Sequence, residues 1–339
     1  MFKDMLKQDE TLFKDELVLD YEYLPKILKY RENQQQHFAT VIKPLLQKRQ
    51  GSNLFIYGSP GIGKTAACKH VLRELELETD QVYTFYINCW KYDTVYKILA
   101  ELCNQLKYKW IQNKKTDELL KVVAEILNKK SAVIILDEVD KLKEEQIVYQ
   151  LLEDIYKKCL FLITNEKDWL AKLDDRVKSR LLPELLEFKP YNYKETKGIL
   201  EERKDYGFYP GVWDEEAFEK VAEYCFEKQD VRIGITLLKN SANLAENKSS
   251  RKVSLEYVEQ AIAKLNPFQQ AKIELDDEDK FIIDYIKNNP KSPISKIYEE
   301  YNKKYEKSQR TLRRKLDLLK EAKLVDFEDS PFGSLVSTK

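Results

Sequence analysis

Residues 58–65 read Gly-Ser-Pro-Gly-Ile-Gly-Lys-Thr, a glycine-rich turn that ends in a cation and a hydroxyl group. Glycines let the backbone curl so that several N–H groups point at one anion, and a helix that starts there adds its positive end. Lys64 can then reach the outer phosphates of a nucleotide, and the Thr65 hydroxyl can bind Mg²⁺. The pattern predicts a phosphate site built from Gly58, Ser59, Pro60, Gly61, Ile62, Gly63, Lys64, Thr65 and Ala66.

Two adjacent carboxylates offer the second half of such a site. Asp137 and Glu138 follow the apolar residues 132–136, a pattern typical of a strand that is buried on both faces of a parallel sheet. Ligands bind at the carboxyl ends of such strands. Asp137 is therefore expected to hold Mg²⁺, and Glu138 to take a proton from an attacking water. The alternative is a pair of solvated acids at a strand end.

Three further side chains could act on the same phosphates. Asn165 follows the next apolar strand, where its amide could orient the attacking water, although such an Asn is as often a turn residue or a helix cap. Arg176 and Arg180 share one helix face and could stabilise charge on a transferred phosphoryl group, in this chain or a neighbour. Without further context, a surface ion-pair face is the better interpretation. Arg232 follows Asp230 at the start of an amphipathic helix, where an arginine is ordinarily solvated or capping.

Apolar strands alternate with amphipathic helices over residues 31–190, which predicts an α/β fold with a parallel sheet covered on both faces. Residues 1–30 are expected to form an irregular arm with a short helix, completing a nucleotide-binding core at residues 1–190. The strands are expected at residues 53–57, 82–88, 131–136 and 160–165.

The rest of the chain predicts two smaller domains. Spacings typical of helices continue to Leu265, which indicates an all-α domain over residues 191–270, with a linker at residues 266–270. Residues 277–339 are expected to form three helices followed by a hairpin, with strands at residues 323–327 and 335–337.

Composition limits the classes of function. Lys and Arg number 58, as do Asp and Glu, so the chain has no overall basic signal for nucleic acid. The five cysteines form no C-x-x-C pair and only His37 and His70 supply imidazoles, which argues against zinc sites and disulfides and fits a reducing cytosol. The charged N-terminus does not resemble a signal peptide, and no apolar run is long enough for a membrane span. We expect a soluble cytoplasmic protein.

A local basic cluster suggests a DNA-binding helix. Residues 281–339 contain 13 Lys and Arg against 9 Asp and Glu, an excess of +4. Ser308 is a plausible N-cap, and three leucines four and three residues apart would form the buried stripe of the helix that follows. Gln309, Arg310, Arg313 and Arg314 would then face outward, as in a recognition helix in the major groove. A charged surface helix is the alternative; the helix-then-hairpin order, with Phe332 at the hairpin turn, favours DNA binding.

Together these segments resemble the AAA+ ATPases and, within them, the origin-recognition initiators of archaea and eukaryotes. Residues 58–65 resemble the Walker A motif, and residues 136–142, Leu-Asp-Glu-Val-Asp-Lys-Leu, resemble Walker B. Residues 161–165 are similar to the sensor 1 strand, Arg180 to the arginine finger, and residues 230–232 to the sensor 2 turn. The resemblance implies that Arg232 reaches the γ-phosphate from a helical lid.

Smaller matches point to the initiators. Tyr23-Leu24-Pro25 and Tyr30-Arg31-Glu32 are similar to the segment that packs on the adenine in these proteins, which implies a cofactor-binding role for Tyr30. Residues 87–89 resemble the second strand, and the C-terminal unit resembles a winged helix. Residues 88–131 depart from the family by lacking the glycine-containing pattern of its initiator-specific DNA-contacting helices.

The resemblance implies a nucleoid-associated replication initiator that binds duplex origin DNA and uses ATP, ADP and Mg²⁺ in a slow, switch-like hydrolysis cycle. Related initiator subunits and a replicative helicase are the implied protein partners. Two alternatives stay open: a clamp-loader or helicase-loader type AAA+ ATPase, and an ATP-binding DNA regulator of a mobile element.

Overall fold

A computed structural model describes residues 11–265, 277–289, 292–305, 307–321, 325–328 and 335–338. The chain falls into two compact units, Met1–Ala261 and Ile262–Lys339. The first unit holds the sheet and most of the helical lid, and the second holds the C-terminal helices and strands. Each unit is described by itself.

A five-stranded parallel sheet forms the core of the first unit, in the order β2-β3-β4-β1-β5. Its central strands β3 and β4 are buried along their whole length because nearly every residue is apolar. The strands are β1 Leu54–Tyr57, β2 Val82–Asn88, β3 Ser131–Asp137, β4 Lys158–Thr164 and β5 Glu184–Glu187. The predicted parallel α/β sheet is confirmed, with β3 ending on Asp137 and β4 ending one residue before Asn165.

The fifth strand was not predicted. β5 has the sequence Glu-Leu-Leu-Glu, is largely exposed and pairs in parallel with β1 alone. A four-residue edge strand with acids at both ends shows neither an apolar run nor alternation, so periodicity could not reveal it. Its position matters because the residue after it, Phe188, donates its backbone N–H to the carbonyl of Tyr57, where the phosphate loop begins.

Helices cover both faces of this sheet, as predicted. Alternate residues of β3 enter opposite cores: Ile134 and Leu136 pack on one face, and Val133 and Ile135 on the other. The helices of this part are α1 Glu32–Leu46, α2 Lys64–Glu78, α3 Val95–Gln105, α4 Thr116–Leu127, α5 Gln146–Asp154, α6 Trp169–Lys172 and α7 Asp175–Leu181.

Four further helices form a lid. Asn192 begins the first with a capping box, in which its side chain and that of Glu195 exchange hydrogen bonds with the backbone. An arm with a 3₁₀ helix at Glu16–Leu19 packs on this lid, and Arg203 fixes it by donating to the carbonyls of Val18 and Tyr23. The lid helices are α8 Tyr193–Gly207, α9 Glu215–Lys228, α10 Val231–Asn247 and α11 Leu255–Leu265.

Among its described residues, the second unit contains three complete helices and a small antiparallel sheet, in the strand order β6-β8-β7. As predicted, Ser308 precedes the third helix and accepts from the Thr311 N–H. The predicted linker and the hairpin turn that contains Phe332 lie outside the described residues. The elements are α12 Asp277–Asn288, β6 Ser292–Pro293, α13 Ile294–Tyr305, α14 Gln309–Glu321, β7 Val325–Glu328 and β8 Leu335–Thr338.

Candidate nucleotide-binding site

The phosphate loop joins β1 to α2 and depends on its glycines. Gly58, Gly61 and Gly63 have φ values of 147°, 72° and 88°, which residues with a side chain rarely adopt. A Cβ atom on Gly58 would also lie 2.3 Å from the carbonyl oxygen of Phe188. Gly63 is the N-cap of α2, so the positive end of that helix faces the loop. The local structure is therefore an anion site.

Lys64 is buried against three oxygen atoms. Its ammonium donates to the carbonyls of Gly58 at 2.6 Å and Ser59 at 2.7 Å, and to Oδ1 of Asn165 at 2.8 Å. Burial lowers the pKa of Lys64 to about 8, an effect that Asp137 partly opposes. The structure thus brings the predicted Asn165 and Lys64 into direct contact.

Asp137 is held by three donors. Its Oδ2 accepts from the Thr65 hydroxyl at 2.6 Å and from the Tyr86 hydroxyl at 2.8 Å, and its Oδ1 accepts from the Glu138 N–H at 2.9 Å. A hydroxyl oxygen and a carboxylate in contact are the hard ligands that Mg²⁺ prefers, with water and phosphate completing its octahedron. The donor set therefore fits that ion. The described residues contain no group of three or more His, Cys, Asp or Glu that could hold a metal.

Glu138 has a strained backbone. Its φ and ψ are 56° and 47°, in the left-handed region that a residue with a long side chain rarely adopts. This conformation turns the chain away from the strand direction directly after Asp137. Glu138 then lines the cavity beside Lys64 and Thr65. Strained residues of this kind concentrate where function requires one geometry. The position of Glu138 on the cavity wall is compatible with the predicted role of a general base.

A cavity of about 1400 Å³ lies between the sheet, the lid and the arm. The phosphate loop and Asp137 line one side, Arg232 and Ile235 of the lid line another, and Tyr23 of the arm a third. Predicted residues from four separate segments therefore meet in one space: Pro60, Gly61, Gly63, Lys64, Thr65, Ala66, Asp137, Glu138, Asn165 and Arg232.

Of the predicted loop residues, Gly58, Ser59 and Ile62 are not part of the cavity lining, and two predicted residues outside the loop also lie elsewhere. The hydroxyl of Tyr30 sits over Gly198 of α8, where a Cβ atom would be 2.2 Å away, and Tyr30 is not among the residues that line the cavity. Arg180 also lies outside the cavity lining; it pairs with Glu153 of α5, and its guanidinium carbon stands 5.0 Å from the centre of the Tyr149 ring. Action by Arg180 on a neighbouring subunit stays a prediction.

Arg31 is a structural support that sequence reasoning did not find. This buried side chain donates to the Ile62 carbonyl at 2.8 Å and to the Lys189 carbonyl at 2.8 Å, and its guanidinium carbon lies 3.8 Å from the centre of the Tyr191 ring. It thereby joins the phosphate loop to the segment that leads into the lid. The motif Tyr30-Arg31-Glu32 includes this residue but does not indicate its supporting role, because its partners are distant in sequence.

Tyr86 is a second functional residue that the sequence did not predict. Its hydroxyl donates to Asp137, and this hydrogen bond leads to a testable prediction. Burial, followed by the nearby Asp137 charge, raises the pKa of Tyr86, so the hydroxyl remains a donor at all ordinary pH values. In Tyr86→Phe the Asp137 carboxylate loses one of its donors. We expect the Mg²⁺ concentration for half-maximal tightening of ATP binding to rise about threefold to tenfold, the effect of losing one hydrogen bond of about 1 kcal/mol.

Titration of ATP affinity with Mg²⁺ measures this effect. Tyr83→Phe is the matched control, because Tyr83 lies three residues earlier on the same strand and therefore faces the other side of the sheet. An unchanged Mg²⁺ requirement in Tyr86→Phe would show that Thr65 and the Glu138 N–H are sufficient to orient Asp137.

The predicted DNA-contacting side chains lie in the second unit. Leu312, Leu316 and Leu319 of α14 are buried. Lys315 is turned inward, where its ammonium lies 2.9 Å from Asp279 of α12. The exposed face carries the predicted residues Gln309, Arg310, Arg313 and Arg314.

Comparison with known proteins identifies the family. Residues 47–165 match the model of an AAA domain, and residues 197–263 match that of the Cdc6 AAA+ ATPase-type lid domain. The ORC1-type DNA replication protein 2 of Methanosarcina mazei is 32% identical, over 88% of this chain and 84% of that protein. The chain belongs to the ORC1-type family of DNA replication proteins. Membership of this AAA+ ATPase family supports ATPase activity in general.

Other ORC1-type relatives extend the likeness to nearly the whole chain. ORC1-type DNA replication protein 2 of Archaeoglobus fulgidus is 30% identical over 96% of this chain and 89% of its own length. The structure of the Aeropyrum pernix ORC1 protein in complex with DNA is 25% identical, with a TM-score of 0.70, and covers 97% of this chain and 94% of that one. Both include the region of the predicted winged helix.

Within the described residues, no helix has the length and apolar character needed to cross a lipid bilayer.

Proposed function

We propose that this chain is a DNA replication initiator that binds ATP between its core and lid and binds duplex origin DNA through its winged helix. The observation that carries the ATP assignment is the meeting of Lys64, Asp137 and the lid residue Arg232 around one cavity. The DNA assignment rests on the exposed basic face of α14 and on the relative whose structure contains DNA.

The predicted site residues on the cavity wall have separate roles in this proposal. The loop amides and Lys64 bind the phosphates, and Asn165, already bonded to Lys64, orients the attacking water. Glu138 accepts a proton from that water. Thr65 and Asp137 would hold Mg²⁺, which when bound neutralises charge on the phosphate oxygens.

ATP is proposed to act as a conformational switch rather than as the substrate of a fast enzyme. Arg232 is a lid cation on the cavity wall, so a γ-phosphate in the cavity gives the lid a contact that ADP cannot give. Hydrolysis then removes that contact and relaxes the lid. We propose that related initiator subunits and a replicative helicase bind differently to the ATP-bound and the ADP-bound states.

Duplex DNA binding leads to a prediction about salt. In Arg313→Ala and Arg314→Ala we expect affinity for origin duplex to fall about tenfold each, since a charged contact in the groove or to phosphate is lost. The slope of log affinity against log salt should drop by about 1 for each arginine that contacts phosphate. Fluorescence anisotropy at several salt concentrations measures both quantities.

Lys280→Ala is the control for that experiment, because Lys280 is an exposed cation of α12, paired with Asp277, in the same unit. Equal losses in Lys280→Ala and the α14 variants would mean that general charge, rather than the α14 face, binds DNA.

A further inference from the structure

Asp230, next to the lid arginine, makes three separate contacts. Its Oδ1 accepts the Arg232 N–H at 2.9 Å and so caps α10. The same carboxylate binds the guanidinium side-on, with Nε of Arg232 3.0 Å from Oδ1 and Nη2 2.7 Å from Oδ2. Arg232 is therefore bound in a bidentate pair with its own neighbour, the geometry in which arginine holds carboxylates best.

The carboxylate also lies directly on the phosphate loop. A Cβ atom on Gly61 would be 2.0 Å from Oδ1 of Asp230, and the Val231 N–H donates to the Gly61 carbonyl at 3.2 Å. An anion thus sits against the loop whose purpose is to bind phosphate. Charges near Arg232 and the loop on the core side of the cavity include Lys64, Asp137 and Glu138.

We propose that Asp230 sets the preference of the site for ATP over ADP by occupying Arg232 until a γ-phosphate competes for it. This inference rests on the proposed contact of Arg232 with the γ-phosphate. Because Arg232 must give up or share its bond to Asp230, part of the attraction for the γ-phosphate is offset. ADP offers no competing group, so its binding is much less sensitive to the pair.

The charge of Asp230 can be removed without removing the cap. Asparagine is as good an N-cap as aspartate, but it has one acceptor oxygen and cannot bind the guanidinium side-on. In Asp230→Asn we expect ATP affinity to rise about fivefold to tenfold and ADP affinity to change less than about twofold, because the remaining amide oxygen still accepts one hydrogen bond and only part of the attraction for Arg232 is lost. The affinities are measured by calorimetry on the full chain with Mg²⁺ATP and Mg²⁺ADP.

Asp214→Asn is the matched control, because Asp214 stands at the N-cap of α9 in the same lid, paired with Lys252 away from the cavity. Its ratio of ATP to ADP affinity should equal that of the unaltered chain. Thermal melting of both variants checks that each is folded. An unchanged or lower ratio in folded Asp230→Asn overturns the proposal, since Asp230 would then be a cap or a support for Arg232.

Arg232→Ala separates this inference from the function on which it rests. If Arg232→Ala lowers the ratio while Asp230→Asn does not raise it, Arg232 contacts the γ-phosphate and only the role of Asp230 is wrong. If Arg232→Ala leaves the ratio unchanged, the proposed γ-phosphate contact itself fails.

Discussion

Glu138→Gln should bind ATP about as well as the unaltered chain and hydrolyse it roughly 100-fold to 10,000-fold more slowly, the range attributed to general bases. The carboxylate lines the cavity, whereas we expect the phosphates to be bound mainly by the loop and Lys64. Glutamine keeps the size of the side chain and imposes no new demand on the left-handed backbone at this position. Binding and catalysis should therefore separate in this variant.

Single-turnover phosphate release, with ATP affinity measured in parallel, tests that separation. Glu166→Gln is a suitable control, because Glu166 is an exposed acid just after β4 that is paired with Lys172. If Glu138→Gln hydrolyses ATP at the normal rate, the general base is another group, and the strain at Glu138 has a purely structural cause.

Lys64→Ala is expected to weaken ATP binding by at least about 100-fold, because the ammonium would supply charged hydrogen bonds to two phosphates. Two backbone carbonyl oxygens and the amide oxygen of Asn165 fix the position of that ammonium in the loop. Alanine therefore also leaves these three acceptors without their donor. Direct titration with a fluorescent ATP analogue measures the loss.

Lys158→Ala distinguishes this effect from the removal of any buried lysine. Lys158 is similarly buried and has its pKa lowered to about 8, but it starts β4 and donates to the Leu152 carbonyl at the end of α5. We expect Lys158→Ala to lower thermal stability and to leave ATP affinity within about twofold, since it removes a buried hydrogen bond remote from the loop. Loss of ATP binding in both variants would assign the effect to folding.

The sequence predicted the parts of the site that lie on strands and loops with local signatures. The loop at residues 58–65 and the acids after β3 are recognisable because glycine conformation and an apolar run leave marks within a few residues. Their meeting follows from the parallel sheet, since β1, β3 and β4 end at one edge.

The roles of residues with distant partners could not be predicted from local sequence patterns. Tyr86 bonds Asp137 across 51 positions, and Arg31 bonds Lys189 across 158. The neighbours of Tyr86 predict only a strand, and the Tyr30-Arg31-Glu32 motif places Arg31 in a family segment without indicating these bonds. The sequence did not predict β5 for a different reason: an exposed four-residue strand has no hydrophobic pattern that periodicity could detect.

The position of Arg31 affects how loss of function in this chain should be interpreted. Its guanidinium contacts carbonyl oxygens and aromatic rings on both sides of the core–lid junction and is absent from the cavity lining. Changing it disturbs the Ile62 carbonyl inside the loop and the Lys189 carbonyl before the lid together. A variant at Arg31 that fails to retain nucleotide is therefore no evidence of a ligand contact. Its defect would come from the residues that support the binding surface and not from the surface itself.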